Sequence, residues 1–293
     1  MDFFMEGTVD VLYHRLLGHL LAYGRERLTR GTRSFEMHPV MIALTNPLAN
    51  KVSHPLRKLN TAYRAAEFLW IHTGRADAEW IGRYNSQVLK YADQNGGRSF
   101  FGAYGPHWWF RRDQIVQTLR EDPGSRQAVV TFWQNQLPQH GTRDVPCTVG
   151  LLFLVNDGKL DLTVTMRSND IWLGFPYDVY TFTMLQNWVA AELGIQLGTY
   201  YHLANSLHLY THNLEQANAV VDYKGTWGYK HSLPLDRQVS DQMLLQAEAW
   251  MRKNGKANFQ FALGWADVFE PIEAFWARRY AEGERLEGYR VQG

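Results

Sequence analysis

An α+β fold is what the 293-residue sequence predicts, as one domain over 1–293. Helical and strand periodicities are interspersed with no repeating strand–helix–strand rhythm, which argues against a doubly wound sheet. Asn156-Asp157-Gly158 between two apolar runs is a tight-hairpin signal, so at least one strand pair is antiparallel. No internal repeat, low-complexity tract or Pro/Ser-rich linker divides the chain. The expectation is a mixed, mainly antiparallel sheet flanked by helices.

The elements follow in order. Met1 to Gly24 carries Asp2, Glu6, Asp10, His14, Arg15 and His19 among apolar residues and reads as an amphipathic helix, not a signal peptide. Val9, Leu12, Leu16, Leu17, Leu20 and Leu21 give residues 9–28 helical spacing. Residues 34–44 alternate loosely, as a strand ending near Asn46-Pro47. Residues 57–73 predict a helix stopped at Gly74. Residues 81–105 are rich in Gly and Asn, a loop long enough to suggest function. A helix over 107–121 ends at Asp122-Pro123-Gly124. Strands follow at 126–133, 147–156 and 159–167, then a largely apolar helix from Asp178 to Leu193 ending at Gly194. A strand over 196–209 and helices over 211–222 and 239–254 come next, and the charged stretch 266–293 reads as peripheral.

Bulk properties narrow the function. Hydrophobic residues at 45% and charged residues at 20% fit a globular chain. A net charge of +1 gives no case for a nucleic-acid partner, whereas a small anion needs only a few arginines. A single cysteine excludes an intrachain disulfide and points to the cytoplasm. Apolar runs such as Leu151 to Val155 are too short for a membrane span. The 11 tryptophans and 15 tyrosines mean a large aromatic core or a pocket that stacks flat rings. The sequence has no phosphate-binding loop, dinucleotide fingerprint, H-E-x-x-H or G-x-S-x-G, and its one cysteine rules out cysteine-based zinc motifs. His208 and His212 are four apart, but His208 falls on a strand, so no metal site is expected.

Cys147 follows Pro146 and opens an apolar strand. Such a cysteine is ordinarily a core residue, and reactivity would require a neighbouring cation. Its surroundings change the reading. The stretch from Met166 to Asp178, MRSNDIWLGFPYD, resembles the thymidylate synthase family's signature, roughly Q-R-S-x-D-x-x-L-G-x-P-F-N. Cys147 stands about twenty residues upstream, where that family has its nucleophile. His208-Leu209-Tyr210 resembles the family's H-x-Y element, and Ser125-Arg126 resembles its arginine pair. Glu67-Phe68-Leu69-Trp70 is similar to E-L-x-W, Tyr91 to Gly96 to W-A-D-E-N-G, and Gly102 to Gly105 to G-x-x-Y-G. Arg30 lies as far before Glu67 as the family's N-terminal phosphate arginine lies before its glutamate. The resemblance runs from about residue 30 to about residue 215.

The resemblance implies roles. Cys147 would attack C6 of a pyrimidine nucleotide, with Glu67, Tyr104 and Asp178 completing the catalytic set. Arg30, Arg126, Arg167 and Ser168 would hold phosphate, to which guanidinium geometry is suited. His208 and Tyr210 would bind the sugar. Asp170, Val88, Tyr91 and Gly174 would form the site of 5,10-methylenetetrahydrofolate, with Asp170 on the pterin. A homodimer through the sheet is implied, with Arg126 reaching the partner's phosphate site. Independently, a carboxyl within the apolar helix at Glu67 would have a raised pKa suited to proton shuttling.

Several positions depart from the family. Asp178 replaces an asparagine that reads the uracil edge. An amide donates to O4 and accepts from N3–H, whereas a carboxylate accepts from the cytosine amino group and from a protonated N3. Aspartate here marks the cytidylate hydroxymethylases of the superfamily, although Asp178 could instead be an N-cap for the following helix. Val88 and Tyr91 stand where synthases have tryptophans beside the reacting methylene, a change that would admit water. Thr148 and Gln127 replace a histidine and a second arginine, and Tyr289 to Gly293 lacks the apolar ending that closes over the site. The expectation is a 5-hydroxymethylase of dCMP, or of CMP as in nucleoside-antibiotic biosynthesis. The alternatives are a thymidylate synthase acting on dUMP and a non-catalytic nucleotide-binding protein.

Overall fold

A computed structural model of the chain describes residues 2–29, 31–92, 98–133, 144–237, 239–258 and 260–282. Thr8 starts the first helix by accepting a hydrogen bond from the Val11 amide, at 3.4 Å. The helix, α1 (Val9–Tyr23), is therefore preceded by a separate strand, β1 (Asp2–Glu6), and does not extend over the whole of residues 1–24. Gly24 ends α1, and residues expected to prolong it form β2 (Arg25–Thr29). The strand expected over 34–44 breaks at His38-Pro39, because proline has no N–H to give a ladder. It becomes β3 (Thr32–Met37) and β4 (Val40–Leu44), which belong to different sheets.

Next come α2 (Thr61–His72), α3 (Ala78–Gly82), a 3-10 turn (Ser86–Tyr91) and α4 (Tyr104–Glu121), so the expected 81–105 loop is partly helical. Of the 126–133 strand only β5 (Val129–Thr131) forms. The hairpin of β6 (Thr148–Asn156) and β7 (Lys159–Met166) turns through Asp157 and Gly158, with φ of 49° and 72°. Two positive values are what this turn needs, and Gly158 adopts one without a Cβ clash. After β8 (Asn169–Asp170) comes α5 (Phe175–Leu193), apolar nearly all round and buried accordingly. The strand expected over 196–209 splits into β9 (Gln196–Ala204) and β10 (Leu207–Tyr210), where the Asn205 amide turns to the Met166 carbonyl at 2.8 Å. The chain continues through α6 (Leu214–Asp222), α7 (Asp241–Asn254) and α8 (Leu263–Ala281).

The expectation of a peripheral segment from 266 is corrected by α8. Trp265, Val268, Phe269, Ile272 and Trp276 recur at helical spacing and are buried, and the helix packs on α2 and α7. Interleaved charges such as Asp267, Glu270 and Glu273 hide the stripe in the sequence.

The α+β class holds. Among the described residues one sheet runs β1-β4-β9-β7-β6-β5 and a second runs β2-β3-β10-β8. The ladder row Phe4, Ile42, His202, Val164, Leu151 and Val130 is buried, on the face that meets α1, α4 and α5. The alternate row Phe3, Met41, Leu203, Thr165, Gly150 and Thr131 points to the opposite face, and Phe3 is 53% exposed. No helix among the described residues is long and apolar enough to cross a membrane.

Candidate active site

Cys147 stands one residue before β6, beside an irregularity in the β6–β7 ladder between Thr148 and Gly150. Such bulges re-aim side chains near sites. Gly150 permits it, since a Cβ there would lie 2.6 Å from the Val130 carbonyl oxygen. Arg167 follows β7, and its amide donates to the Cys147 carbonyl at 2.9 Å. Its guanidinium donates through Nε to the Pro146 carbonyl at 2.8 Å and through Nη2 to the Val145 carbonyl at 2.9 Å. That anchoring leaves Nη2 3.8 Å from Cys147 Sγ, the cation that a reactive thiol requires. Burial pushes the Cys147 thiol above its ordinary pKa, and Arg167 opposes that shift.

Tyr104 opens α4, and its hydroxyl accepts the Thr148 amide at 3.1 Å, tying that helix to the residue after the thiol. Glu67 lies midway along α2, half-buried, and Tyr63 one turn earlier donates its hydroxyl to Oε1 at 2.6 Å. Burial raises the Glu67 carboxyl to about 8, and the nearby Asp178 adds to it against the Tyr63 bond. Glu67 is thus protonated at neutral pH.

Asp178 lies in the first turn of α5, and burial raises its carboxyl to about 6. It does not cap that helix: the N-cap position is Gly174, and the Asp178 Oδ2 accepts from Asn169 Nδ2 at 2.7 Å. Behind Asn169, its Oδ1 meets His202 Nε2 at 3.0 Å, and His202 Nδ1 meets the Tyr200 hydroxyl at 2.8 Å. A Cβ on Gly174 would lie 3.0 Å from Asp178 Oδ2, so a larger residue there would press on that carboxyl.

Asp170 Oδ1 accepts the amides of Trp172 and Leu173, at 2.8 and 2.9 Å, closing the turn into α5. Its Oδ2 has no hydrogen bond among the described residues. In the β8–β10 ladder His208 is the register partner of Asp170. Ser206 Oγ donates to Glu36 and lies 3.5 Å from His208 Nδ1, and the His208 and Tyr210 rings meet edge-on at 5.1 Å. Ser168 is half-buried between β7 and β8.

The structure therefore gathers Cys147, Arg167, Tyr104, Glu67, Asp178 and Asp170 in one electrostatically coupled cluster, with His208 beside Asp170 on the neighbouring strand β10, which Tyr210 ends. It does not bring Arg126 there: that residue is exposed, three positions before β5 and not on it, and makes no ion pair among the described residues. Val88 and Tyr91 are on the 3-10 turn, Val88 against the core and Tyr91 47% exposed with Lys90 Nζ 5.0 Å from its ring centre. Arg30 and the stretch Asp93 to Gly96 fall outside the described residues. Among the described residues no group of three His, Cys, Asp or Glu side chains could hold a metal.

Sequence reasoning missed Tyr63, Asn169, His202 and Tyr200. Signals were there: Tyr63 is one helical turn from Glu67, and Tyr200 and His202, two apart, share a strand face.

The chain belongs to the thymidylate synthase family: residues 12–243 match the family described as "Thymidylate synthase". Two curated relatives have a narrower name. The "Deoxyuridylate hydroxymethyltransferase" of Bacillus phage SP01 is 32% identical over 217 residues, 68% of this chain and 56% of that protein. The "Deoxyuridylate hydroxymethyltransferase" of Pseudomonas phage M6 is 32% identical over 193 residues, 63% of this chain and 54% of that protein. The chain spans little more than half the length of these relatives.

Proposed function

We propose that the protein is a pyrimidine nucleotide C5-hydroxymethylase acting on cytidylate, dCMP ahead of CMP, with 5,10-methylenetetrahydrofolate and water. The observation that carries this is Cys147 Sγ 3.8 Å from the anchored Arg167, with the Asp178 carboxyl in the same cluster. The names of the two relatives favour hydroxymethylation over methylation.

Arg167 stabilises the developing thiolate as Cys147 bonds to C6, and the C5–C6 electron pair then makes C5 a carbon nucleophile. Methylenetetrahydrofolate, when bound, would supply the one-carbon unit to C5. Loss of the C5 proton would release tetrahydrofolate and leave an exocyclic methylene on the ring; water would add to that carbon as the hydroxyl, and the returning electron pair would re-form the C5–C6 double bond and expel the Cys147 thiolate. Glu67, neutral at pH 7, moves protons through water to and from the base ring. Tyr104 steadies the peptide after the nucleophile. The folate fits the residues present: Asp170 Oδ2, without a hydrogen bond among the described residues, suits a pterin N–H, and the exposed Tyr91 ring offers a flat apolar surface. Arg167 and Ser168 take the phosphate with Arg30, and His208 and Tyr210 the sugar.

Asp178 sets the base. Ionised, it accepts from the cytosine amino group, whereas uracil O4 would meet a second acceptor in a closed site. A second reading, deoxyuridylate as substrate, is favoured by the names of both relatives. The dimer belongs to the proposal as well. The sheet face with the exposed Phe3 and the half-buried Met41 and Leu203 would be the surface for a second copy, and the exposed Arg126 would serve that copy's phosphate site.

Relative kcat/KM for dCMP, CMP and dUMP, in the native protein and in Asp178→Asn, tests the base assignment. The expectation is a native preference for cytidylate that moves toward dUMP by roughly 10²–10⁴-fold, as for sites that read polar groups. A native preference for dUMP, or a preference unmoved by the substitution, overturns it in favour of the second reading.

A further inference from the structure

We infer that Asn169, His202 and Tyr200 form a buried positioning relay that fixes the hydrogen-bonding direction of residue 178 and hence base choice. The inference rests on the reading of Asp178 as the base reader. An ionised Asp178 can only accept, so the Asn169 atom 2.7 Å from its Oδ2 is the amide nitrogen. The Asn169 oxygen then faces His202 Nε2 at 3.0 Å, and that nitrogen must carry the ring proton. Burial holds His202 neutral, with its pKa lowered to about 3, so Nδ1 is bare and accepts the Tyr200 hydroxyl at 2.8 Å. The direction has an anchor besides Asp178: among the described residues the buried Tyr200 hydroxyl has no acceptor other than His202 Nδ1, so it donates there and the links beyond it take one orientation. Tyr200 and His202 are buried on β9 and Asn169 on β8, and no hydrogen bond among the described residues joins any of the three side chains to the thiol.

The consequence is directional. The relay always presents a donor to the Oδ2 side of residue 178. With aspartate, the second oxygen is left as an acceptor for the base. With asparagine in its place, the amide oxygen must take the Asn169 donor, and the amide nitrogen must turn to the base. The relay, not residue 178 alone, thus decides that an asparagine would show a donor to O4 of uracil. If residue 169 became an acceptor, the asparagine would turn round and show its oxygen to the base.

Asn169→Asp in the Asp178→Asn protein makes that change while conserving net charge and nearly conserving volume. In the purified full chain, kcat/KM for dCMP and dUMP should favour dUMP in Asp178→Asn. The double variant should reverse that preference by at least roughly tenfold, the discrimination one mismatched polar pair provides. A purely structural role for residue 169 would lower both values together. A preference that moves in Asp178→Asn but is not reversed in the double variant overturns the relay and leaves the base reader standing. No movement in Asp178→Asn overturns both. Tyr200→Phe removes one oxygen atom and gives a second measure should the double variant not fold. It frees the other His202 tautomer, so the dCMP-to-dUMP ratio should fall by about tenfold. An unchanged ratio overturns the relay.

Discussion

Glu67 makes folding stability fall as the solution becomes more alkaline. Its carboxyl rises from an ordinary 4.5 to about 8 in the folded chain, chiefly because burial penalises the ionised form. Between those values the folded protein holds a proton that the unfolded chain has released. The unfolded state binds fewer protons, so unfolding becomes easier with rising pH across this window. Each pH unit inside it is worth up to about 1.4 kcal/mol. Raising the pH from 5.5 to 7.5 should therefore cost roughly 1–3 kcal/mol from Glu67, since its partial exposure lets water screen some of the penalty. Glu67→Gln keeps an acceptor for the Tyr63 hydroxyl and cannot ionise. Urea denaturation at the two pH values, in both proteins, isolates this group together with its coupling to Asp178, because residues that do not interact with Glu67 cancel in the comparison. Equal pH dependence in the two proteins would refute the argument that burial holds a proton on Glu67.

Other outcomes follow from the same site. Cys147→Ser should bind nucleotide yet lose turnover and the release of tritium from C5, an alcohol being a far weaker nucleophile than a thiolate; retained turnover would exclude the covalent route. Mixed and exchanged Cys147→Ser and Arg126→Ala homodimers should recover part of the native activity, since one hybrid site is intact in both residues; no recovery despite proven exchange counts against shared sites. Gly174→Ala has a permissive φ of −96° but puts a methyl 3.0 Å from Asp178 Oδ2. It should lower cytidylate kcat/KM by roughly 10–100-fold with little change in melting temperature, a penalty of misplacement; an unaltered kcat/KM would mean the carboxyl position is uncritical.

The sequence made the fold class legible through the Asn156-Asp157-Gly158 hairpin and the apolar α5. It concealed where long strands change sheets. The 34–44 and 196–209 runs each look continuous, but Pro39 and the Asn205-Ser206 turn hand the chain from one sheet to the other. Periodicity carries no signal for that switch. The charged surface of α8 masked a buried stripe for the same local reason. At the site, residues inside short motifs were readable: Cys147, Arg167, Asp170 and Asp178. The Tyr200–His202–Asn169 chain was not, because it joins residues 31 apart across two sheets, and only the ladder register brings them together. The capping role considered for Asp178 fails on geometry alone, since its carboxyl turns away to Asn169.

The central claim is that Cys147-dependent chemistry puts a water-derived hydroxymethyl group on C5 of cytidylate. The most direct measurement is the product mass after incubating the native protein with dCMP, CMP or dUMP and methylenetetrahydrofolate in heavy-oxygen water. The account predicts a hydroxymethylated cytidylate, carrying heavy oxygen and accompanied by tetrahydrofolate, with dCMP giving the most. A methylated uridylate accompanied by dihydrofolate, or no product from any of the three nucleotides, would contradict it.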